Sequence, residues 1–478
     1  MVQFFKAKKP SSSGKKRPQR NRTQVKAEHE FVEFSADVID HHGNGICLSH
    51  QPIIVVPATI PGESYRVEIL TKKQKVWHGK IAKVLQVHES ARVEPFCPYV
   101  TTCGGCSHQA FRADYLIEAK QASLKSYLEN VISSSRLKHC EWGDAIHSDI
   151  SDMQHGYRRR ARLAIDARNP DEIKIGFRQE KSNKVVDIPK CAVLVESLHD
   201  VYAQLVSLIK RLPSVSSIGH ITLTEGSERA QVCLHLTKSL SAESVNMLVA
   251  EQKASGTEYV IESKGSKLLN VSVLDGADKS SDVGEDVIFD AKFSISDIPS
   301  LKIAVTANNF IQVNKHVNQQ MLRLAKEWLN PSAEDCIVDL FSGMGNFSLA
   351  LASYCKEVIG VEGIPEMVQQ ASANAQLNGI SNCRFEHFDL NNLAAKATLD
   401  IPQGALFIVD PSRAGALEIM KVISVFKPQK ILYVSCNPTS FARDVEVLPN
   451  TYEITKIRAL DMFPFTKHIE MIALISSK

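Results

Sequence analysis

The chain contains no run of about 18 apolar residues that could cross a bilayer. Its first residues also lack the apolar stretch that follows the positive charges of a secretion signal. These two absences lead us to expect a cytoplasmic protein with no membrane partner. A charge excess is missing too: 56 Lys+Arg face 53 Asp+Glu, a formal balance of only +3, so bulk electrostatics does not announce a polyanion partner. No internal repeat and no long low-complexity linker is present, which argues against a solenoid or a tethered array. Eleven cysteines are an odd number in a chain without a secretion signal, so they argue against a disulfide framework and for metal or catalytic sulfur.

At 44% hydrophobic and 23% charged residues, the 478-residue chain has the composition of an ordinary globular protein, long enough for several cores. Residues 1–27 carry Lys6, Lys8, Lys9, Lys15, Lys16, Arg17, Arg20, Arg22 and Lys26 and not one acidic side chain. Such a tail is expected to be disordered and drawn to polyanions. Residues 28–93 read as short strands broken by Gly43-Asn44-Gly45 and Pro61-Gly62-Glu63, the pattern of a small β-barrel. Lys72, Lys73 and Lys75 would face RNA or simply form a solvated hairpin tip. Residues 94–302 open with a cysteine cluster and a helix over 112–133, and continue as mixed α/β. From 303 to 478 strands and helices alternate as in a doubly wound sheet.

Cys97, Cys103 and Cys106 form a C-x5-C-x2-C pattern whose fourth ligand would be Cys191. The spacing suits an iron-sulfur centre, while zinc and unrelated buried thiols stay as competing readings. Asp339-Leu-Phe-Ser-Gly-Met-Gly-Asn346 follows an apolar strand and opens a helix, where glycines let a nucleotide-like ligand approach the backbone. Its spacing lacks the third glycine of a dinucleotide fingerprint, and Glu362 ends the next strand, placed to accept hydrogen bonds from both ribose hydroxyls. Together these suit S-adenosylmethionine, which has a ribose and no pyrophosphate; a glycine turn that only packs is the alternative. Cys436 ends an apolar strand before Asn437-Pro438, and Asp410 and Glu470 also lie at strand ends, where ligands collect in such sheets. The strand Arg158-Arg-Arg-Ala-Arg162 offers guanidinium groups to phosphates, or is a solvated basic strand.

These motifs, with Phe310-Ile-Gln312-Val-Asn314 and Asp410-Pro-Ser-Arg413-Ala-Gly415, closely resemble the TRAM-containing, iron-sulfur RNA uracil-5-methyltransferases, above all the branch acting on 23S ribosomal RNA. The resemblance covers nearly everything after the basic tail. It implies an α/β architecture: a Rossmann-like S-adenosylmethionine-dependent methyltransferase domain, an N-terminal OB-like TRAM barrel and a central α/β iron-sulfur domain. It further implies a 4Fe-4S cluster on Cys97, Cys103, Cys106 and Cys191, and S-adenosylmethionine contacts from Gln312, Phe341, Asn346, Glu362, Asp389 and Asp410. Cys436 would be the nucleophile and Glu470 the base, in a cytoplasmic monomer whose partner is 23S ribosomal RNA and not DNA. Ser342, Ser412 and Phe465 depart from the commonest family residues, and Phe465 removes an imidazole often found there. The same chemistry on transfer RNA or another ribosomal uridine, and a non-catalytic RNA-binding protein, are the alternatives.

Overall fold

The computed structural model describes residues 30–148, 156–263, 268–274, 293–298, 300–390 and 399–478, so the basic tail over 1–27 lies outside the described residues. Six strands make the first sheet: β1 Phe31–Ser35, β2 Val38–Ile39, β3 Asn44–Cys47, β4 Ile53–Pro57, β5 Ser64–Lys72 and β6 Val76–Gln86, in the order β1-β5-β6-β4-β3-β2. Alternate side chains of these strands point inward, so Phe34, Ile54, Val56, Tyr65 and Val67 fill one small core. The expected Pro61-Gly62-Glu63 turn is present and depends on its acid. Buried Glu63 accepts from the Arg92 guanidinium at 2.7 Å and from the backbone N–H of His88 at 3.0 Å. Lys72, Lys73 and Lys75 do sit at the exposed β5–β6 tip, with Lys72 over the Trp77 ring at 4.3 Å.

The strands that follow are β7 Glu141–Trp142, β8 Arg160–Asp166, β9 Lys174–Arg178, β10 Val185–Asp187, β11 Ile218–Glu225, β12 Ala230–Leu236, β13 Glu258–Glu262 and β14 Leu268–Asn270. All but β7 join one seven-stranded sheet, ordered β10-β9-β8-β11-β12-β13-β14. Helices His199–Arg211 and Ala242–Ser255 cover it, burying Tyr202, Leu205, Ile209 and Leu248 against Leu163, Ile221 and Val232. The second helix starts at Ser241, whose hydroxyl accepts from Ser244 N–H, and stops at Gly256, which takes the left-handed φ of +71° that a helix exit requires.

After a two-stranded ribbon, β15 Ser294–Ile295 and β16 Ile303–Ala304, the C-terminal sheet contains β17 Cys336–Leu340, β18 Glu357–Glu362, β19 Cys383–His387, β20 Leu406–Val409, β21 Lys430–Ser435, β22 Tyr452–Leu460 and β23 Glu470–Ser477. Its order is β19-β18-β17-β20-β21-β23-β22-β7. The first five of these are parallel neighbours, whereas β23 runs antiparallel between β21 and β22. Parallel strands buried on both faces explain the near-continuous apolar runs Cys336–Leu340 and Leu406–Val409. The chain order reverses at β17, which sets a crevice at the carboxyl ends of β17, β18 and β20.

Helix Ala113–Val131 packs away from the central sheet, although it precedes it in the chain. Its Leu124 and Leu128 join Val338, Leu340, Phe407 and Ile457 in the core of the C-terminal sheet, and β7 extends that sheet beside β22. The same helix touches the barrel, through Tyr115 donating to Pro61 O at 3.1 Å and Tyr127 stacked on His41 at 4.0 Å.

Candidate active site

The glycine loop opens immediately after β17. Phe341 (φ +63°), Gly343 (φ +55°) and Gly345 (φ +92°) all take left-handed backbone, and a Cβ on Gly345 would meet Leu349 at 3.0 Å. The loop therefore turns sharply into helix Asn346–Leu351, and a side chain at Gly345 would strain that turn. Glu362, at the end of β18, holds the loop by accepting from Gly343 N–H at 3.0 Å and from Ile364 N–H at 3.0 Å. Asp339 is buried and accepts from the Ser348 N–H at 3.0 Å; burial pushes its carboxyl up to about 7, Ser348 opposing and Glu362 adding. Asp410 follows β20, and Asp389 lies exposed just beyond β19. Gln312 and Asn346 flank the start of helix Lys315–Leu329 and the start of the glycine-loop helix. Phe341, Glu362, Asp389 and Asp410 thus lie at or just beyond the carboxyl ends of β17, β18, β19 and β20, with Asn346 opening the helix after the glycine loop.

Cys436 and Glu470 meet because of strand register. β21 pairs with β23 antiparallel up to Ser435↔Met471, so Cys436, the residue just past β21, and Glu470, the first of β23, lie at the same edge, where the Glu470 charge acts on the thiol. Cys436 is half-buried, and burial first, then Glu470 and Asp410, push its thiol up, with Arg413 opposing. Glu470 is 9% exposed and is raised by burial to about 7, against the pull of Arg413. Asp410 is pushed well above the usual carboxylate range by burial, with Glu470 and Asp339 adding. The site is therefore a cluster of acids, a thiol and one guanidinium in which protons are held near neutral pH. Arg413 belongs to the Asp410–Gly415 motif, and its signal in the sequence is a cation three residues after the strand-end Asp410. Asn437 ties it in place, its amide donating to Arg413 O at 3.0 Å.

The loop 461–470 that ends in Glu470 is fixed from outside the sheet. Lys120 and Asp461 form a fully buried ion pair at 2.7 Å. Ser107 and His108 both donate backbone N–H groups to Phe465 O, at 3.0 and 2.9 Å. Phe465, where an imidazole is often found in the family, takes φ +61° and packs among Tyr157, Val193, Cys106 and Cys191.

One expectation is corrected here. Cys97, Cys103, Cys106 and Cys191 line one cavity of about 180 Å³, but among the described residues no three His, Cys, Asp or Glu side chains form a group that could hold a metal ion. The 4Fe-4S cluster on these four cysteines is therefore not supported. One of these sulfurs is taken up locally: Cys103 accepts from Gly105 N–H at 3.3 Å. Burial pushes the Cys106 thiol up to about 12 and the Cys191 thiol up to about 11. The spacing had brought the four together in space without bringing their sulfurs to one centre. The basic strand divides between its two readings. Arg159 is buried and paired with Asp297, and Arg160 donates to the carbonyls of Ala307 and Asn309, leaving Arg162 exposed.

The sequence model of the tRNA (uracil-5-)-methyltransferase family matches residues 117–478. The 23S rRNA (uracil(1939)-C(5))-methyltransferase RlmD of Alteromonas mediterranea is 37% identical over 442 residues, covering 92% of this chain and 86% of its own. The protein of the same name from Shewanella sp. (strain MR-7) is 35% identical over 488 residues, 99% of each chain. Among solved structures, the Pyrococcus abyssi tRNA (uracil-54, C5)-methyltransferase in complex with S-adenosyl-L-homocysteine shares the fold at a TM-score of 0.66, with 24% identity over 93% of this chain and 99% of that one. No helix among the described residues is long and apolar enough to cross a membrane.

Proposed function

Since the chain belongs to the RNA uracil-5-methyltransferase family, we propose that it transfers a methyl group from S-adenosylmethionine to C5 of one uridine in 23S ribosomal RNA. The observation that supports this reading is that the β21–β23 register ends with Cys436 and Glu470 at one edge of the sheet, close enough for the carboxyl to act on the thiol. The full-length likeness to 23S enzymes, from two genera, favours the ribosomal substrate over transfer RNA. A non-catalytic RNA-binding role has no need of a thiol and a raised carboxyl at one edge. We place the enzyme in the cytoplasm, acting as a monomer on RNA and not DNA. We keep three units, 28–93, 94–302 and 303–478, as the division of labour, with the Ala113–Trp142 segment of the middle unit lent to the catalytic sheet.

The residues present fit the methyl donor: a glycine loop open to close approach, Glu362 at the adjacent strand end, and buried acids at its floor. When bound, the donor supplies an electrophilic methyl on a sulfonium. Gln312, Phe341, Asn346, Glu362, Asp389 and Asp410 hold it. Uracil C5 is a weak nucleophile, so Cys436 acts as a thiolate, its proton passed to solvent: its sulfur bonds to C6 as the C5–C6 π bond opens, and that electron pair becomes an enolate with carbanion character at C5. C5 then takes the methyl as the carbon–sulfonium bond breaks. Glu470, as carboxylate, removes the C5 proton, and the C6–sulfur bond breaks to release Cys436 and 5-methyluridine. The base reaches this pocket only when splayed from its stack.

The test is incubation of the full chain and S-adenosylmethionine with unmodified 23S ribosomal RNA or unmodified transfer RNA, followed by mass spectrometry of nuclease fragments. One 5-methyluridine in the ribosomal RNA is expected. Modification of transfer RNA alone would overturn the substrate, and none in either would overturn the activity.

A further inference from the structure

Gln312 and Asn346 lie on different elements, yet one buried polar chain joins them. Arg159 donates from its backbone N–H to Val313 O at 3.0 Å and from Nε to Gln312 O at 2.8 Å. The other two nitrogens of its guanidinium pair with both oxygens of the Asp297 carboxylate, one at 2.8 Å. Asp297 also accepts from the Asn318 amide, and its backbone carbonyl accepts from Gln319 Nε2 at 2.6 Å. Asn318 and Asn346 then exchange two side-chain hydrogen bonds, at 3.0 and 3.1 Å. Arg159, Asp297 and Asn318 are only 2%, 5% and 0% exposed, so none of them can touch RNA or solvent.

We infer that Arg159, Asp297 and Asn318 are positioning residues that set Gln312 and Asn346 at a fixed separation, so that the methyl donor meets a site already in its bound shape. Removing any member leaves a buried polar group unmatched, so the chain is all-or-none in geometry. Groups held in place beforehand bind more tightly because less ordering remains to be done on binding. Through Glu225 N–H donating to Arg159 O at 2.8 Å, the chain is also anchored on β11 of the central sheet, which makes donor affinity depend on a unit that contributes no donor contact itself.

This inference rests on Gln312 and Asn346 being donor contacts, and the experiment separates the two. Asn318→Ala in the full chain cuts the link to Asn346 and leaves the Arg159–Asp297 pair intact. By calorimetry its affinity for S-adenosylhomocysteine is expected to fall roughly 5- to 50-fold, the equivalent of one or two lost buried hydrogen bonds. The KM for S-adenosylmethionine should rise in parallel, while kcat at saturating donor and affinity for 23S RNA stay within about twofold. Asp297→Asn, which leaves Arg159 without a countercharge, should weaken donor binding further. Unchanged donor affinity in Asn318→Ala would overturn the positioning role. Equal loss of donor and RNA affinity with a lowered Tm would reduce the chain to a general structural one. Failure of the unaltered protein to bind S-adenosylhomocysteine would overturn the site itself.

Discussion

Three cysteines of the middle unit and Cys436 of the C-terminal sheet are all half-buried, in different surroundings. Cys103, Cys106 and Cys191 face a cavity walled by Val100, Tyr157, Phe177 and Ile188, where Cys103 accepts from the nearby Gly105 N–H. Cys436 is also raised by burial, but it looks onto Glu470, Asp410 and Arg413 at the open edge of a parallel sheet. The difference teaches that sulfur chemistry is set by the charged groups across from the thiol and by access, more than by how many cysteines the chain brings near each other. The cysteine segment still serves the catalytic edge mechanically: Ser107 and His108 clamp the Phe465 carbonyl, five residues before Glu470.

The sharpest break of this comparison is Cys436→Ala. It should lower 5-methyluridine formation by about 10⁴-fold or more while S-adenosylhomocysteine binding stays within twofold by calorimetry. Retained turnover would remove Cys436 from the chemistry. Glu470→Gln should cost ~10²–10⁴-fold in turnover yet still allow addition and methyl transfer, so a covalent protein–RNA species should accumulate on denaturing gels. Its absence, with normal release, would put the proton elsewhere. Lys120→Met leaves Asp461 buried without a countercharge and should cost about 3–5 kcal/mol in urea unfolding. A loss below 1 kcal/mol, on the order of a surface pair, would mean the loop is held mainly by the Phe465 contacts.

Acidity gives the next test. Glu470 must be a carboxylate to take the C5 proton, so turnover should climb about tenfold per pH unit below about 7, and that limb should vanish in Glu470→Gln. Stability runs the other way. Because folding raises this carboxyl from its ordinary value near 4.5 to about 7, the native state binds the extra proton in that window. Its contribution to stability is full below pH 4.5 and is lost as pH rises to 7, so Glu470→Gln should flatten the fall measured by denaturant titration across that range. The smallest effect is expected from Arg413→Gln, whose guanidinium is exposed: less than about tenfold in rate, with the alkaline limb of Cys436 moved upward. No movement of that limb would separate Arg413 from the thiol.

Much of the C-terminal sheet was legible because its strands are buried on both faces and read as plain apolar runs. β17 Cys336–Leu340, β20 Leu406–Val409 and β21 Lys430–Ser435 are the strands of the alternation expected from residue 303 onward. The edge strand β19, Cys-Arg-Phe-Glu-His, carries no such run, and β22 mixes polar residues into its alternation, so neither stood out. Two-residue β7 is a strand only because β22 offers it a partner. Among site residues, Glu362, Asp410 and Cys436 could be placed at strand ends by counting along the chain. That Cys436 and Glu470 come to one edge, that Arg413 reaches toward both, and that Arg159 turns inward to Asp297 could not.

The division has a physical cause. Local pattern determined what depends on neighbours in the chain: the strand and helix periods, the glycine turn that only positive φ permits, and the residue types at each strand end. Tertiary structure alone decided what depends on partners tens to hundreds of residues away: the register that brings a thiol and a carboxyl to one edge, the buried Lys120–Asp461 pair, the inward turn of Arg159, and four cysteines that share a cavity without sharing a centre. Spacing along a chain limits which side chains can meet, but burial and the competing hydrogen bonds of the folded state choose which of them do.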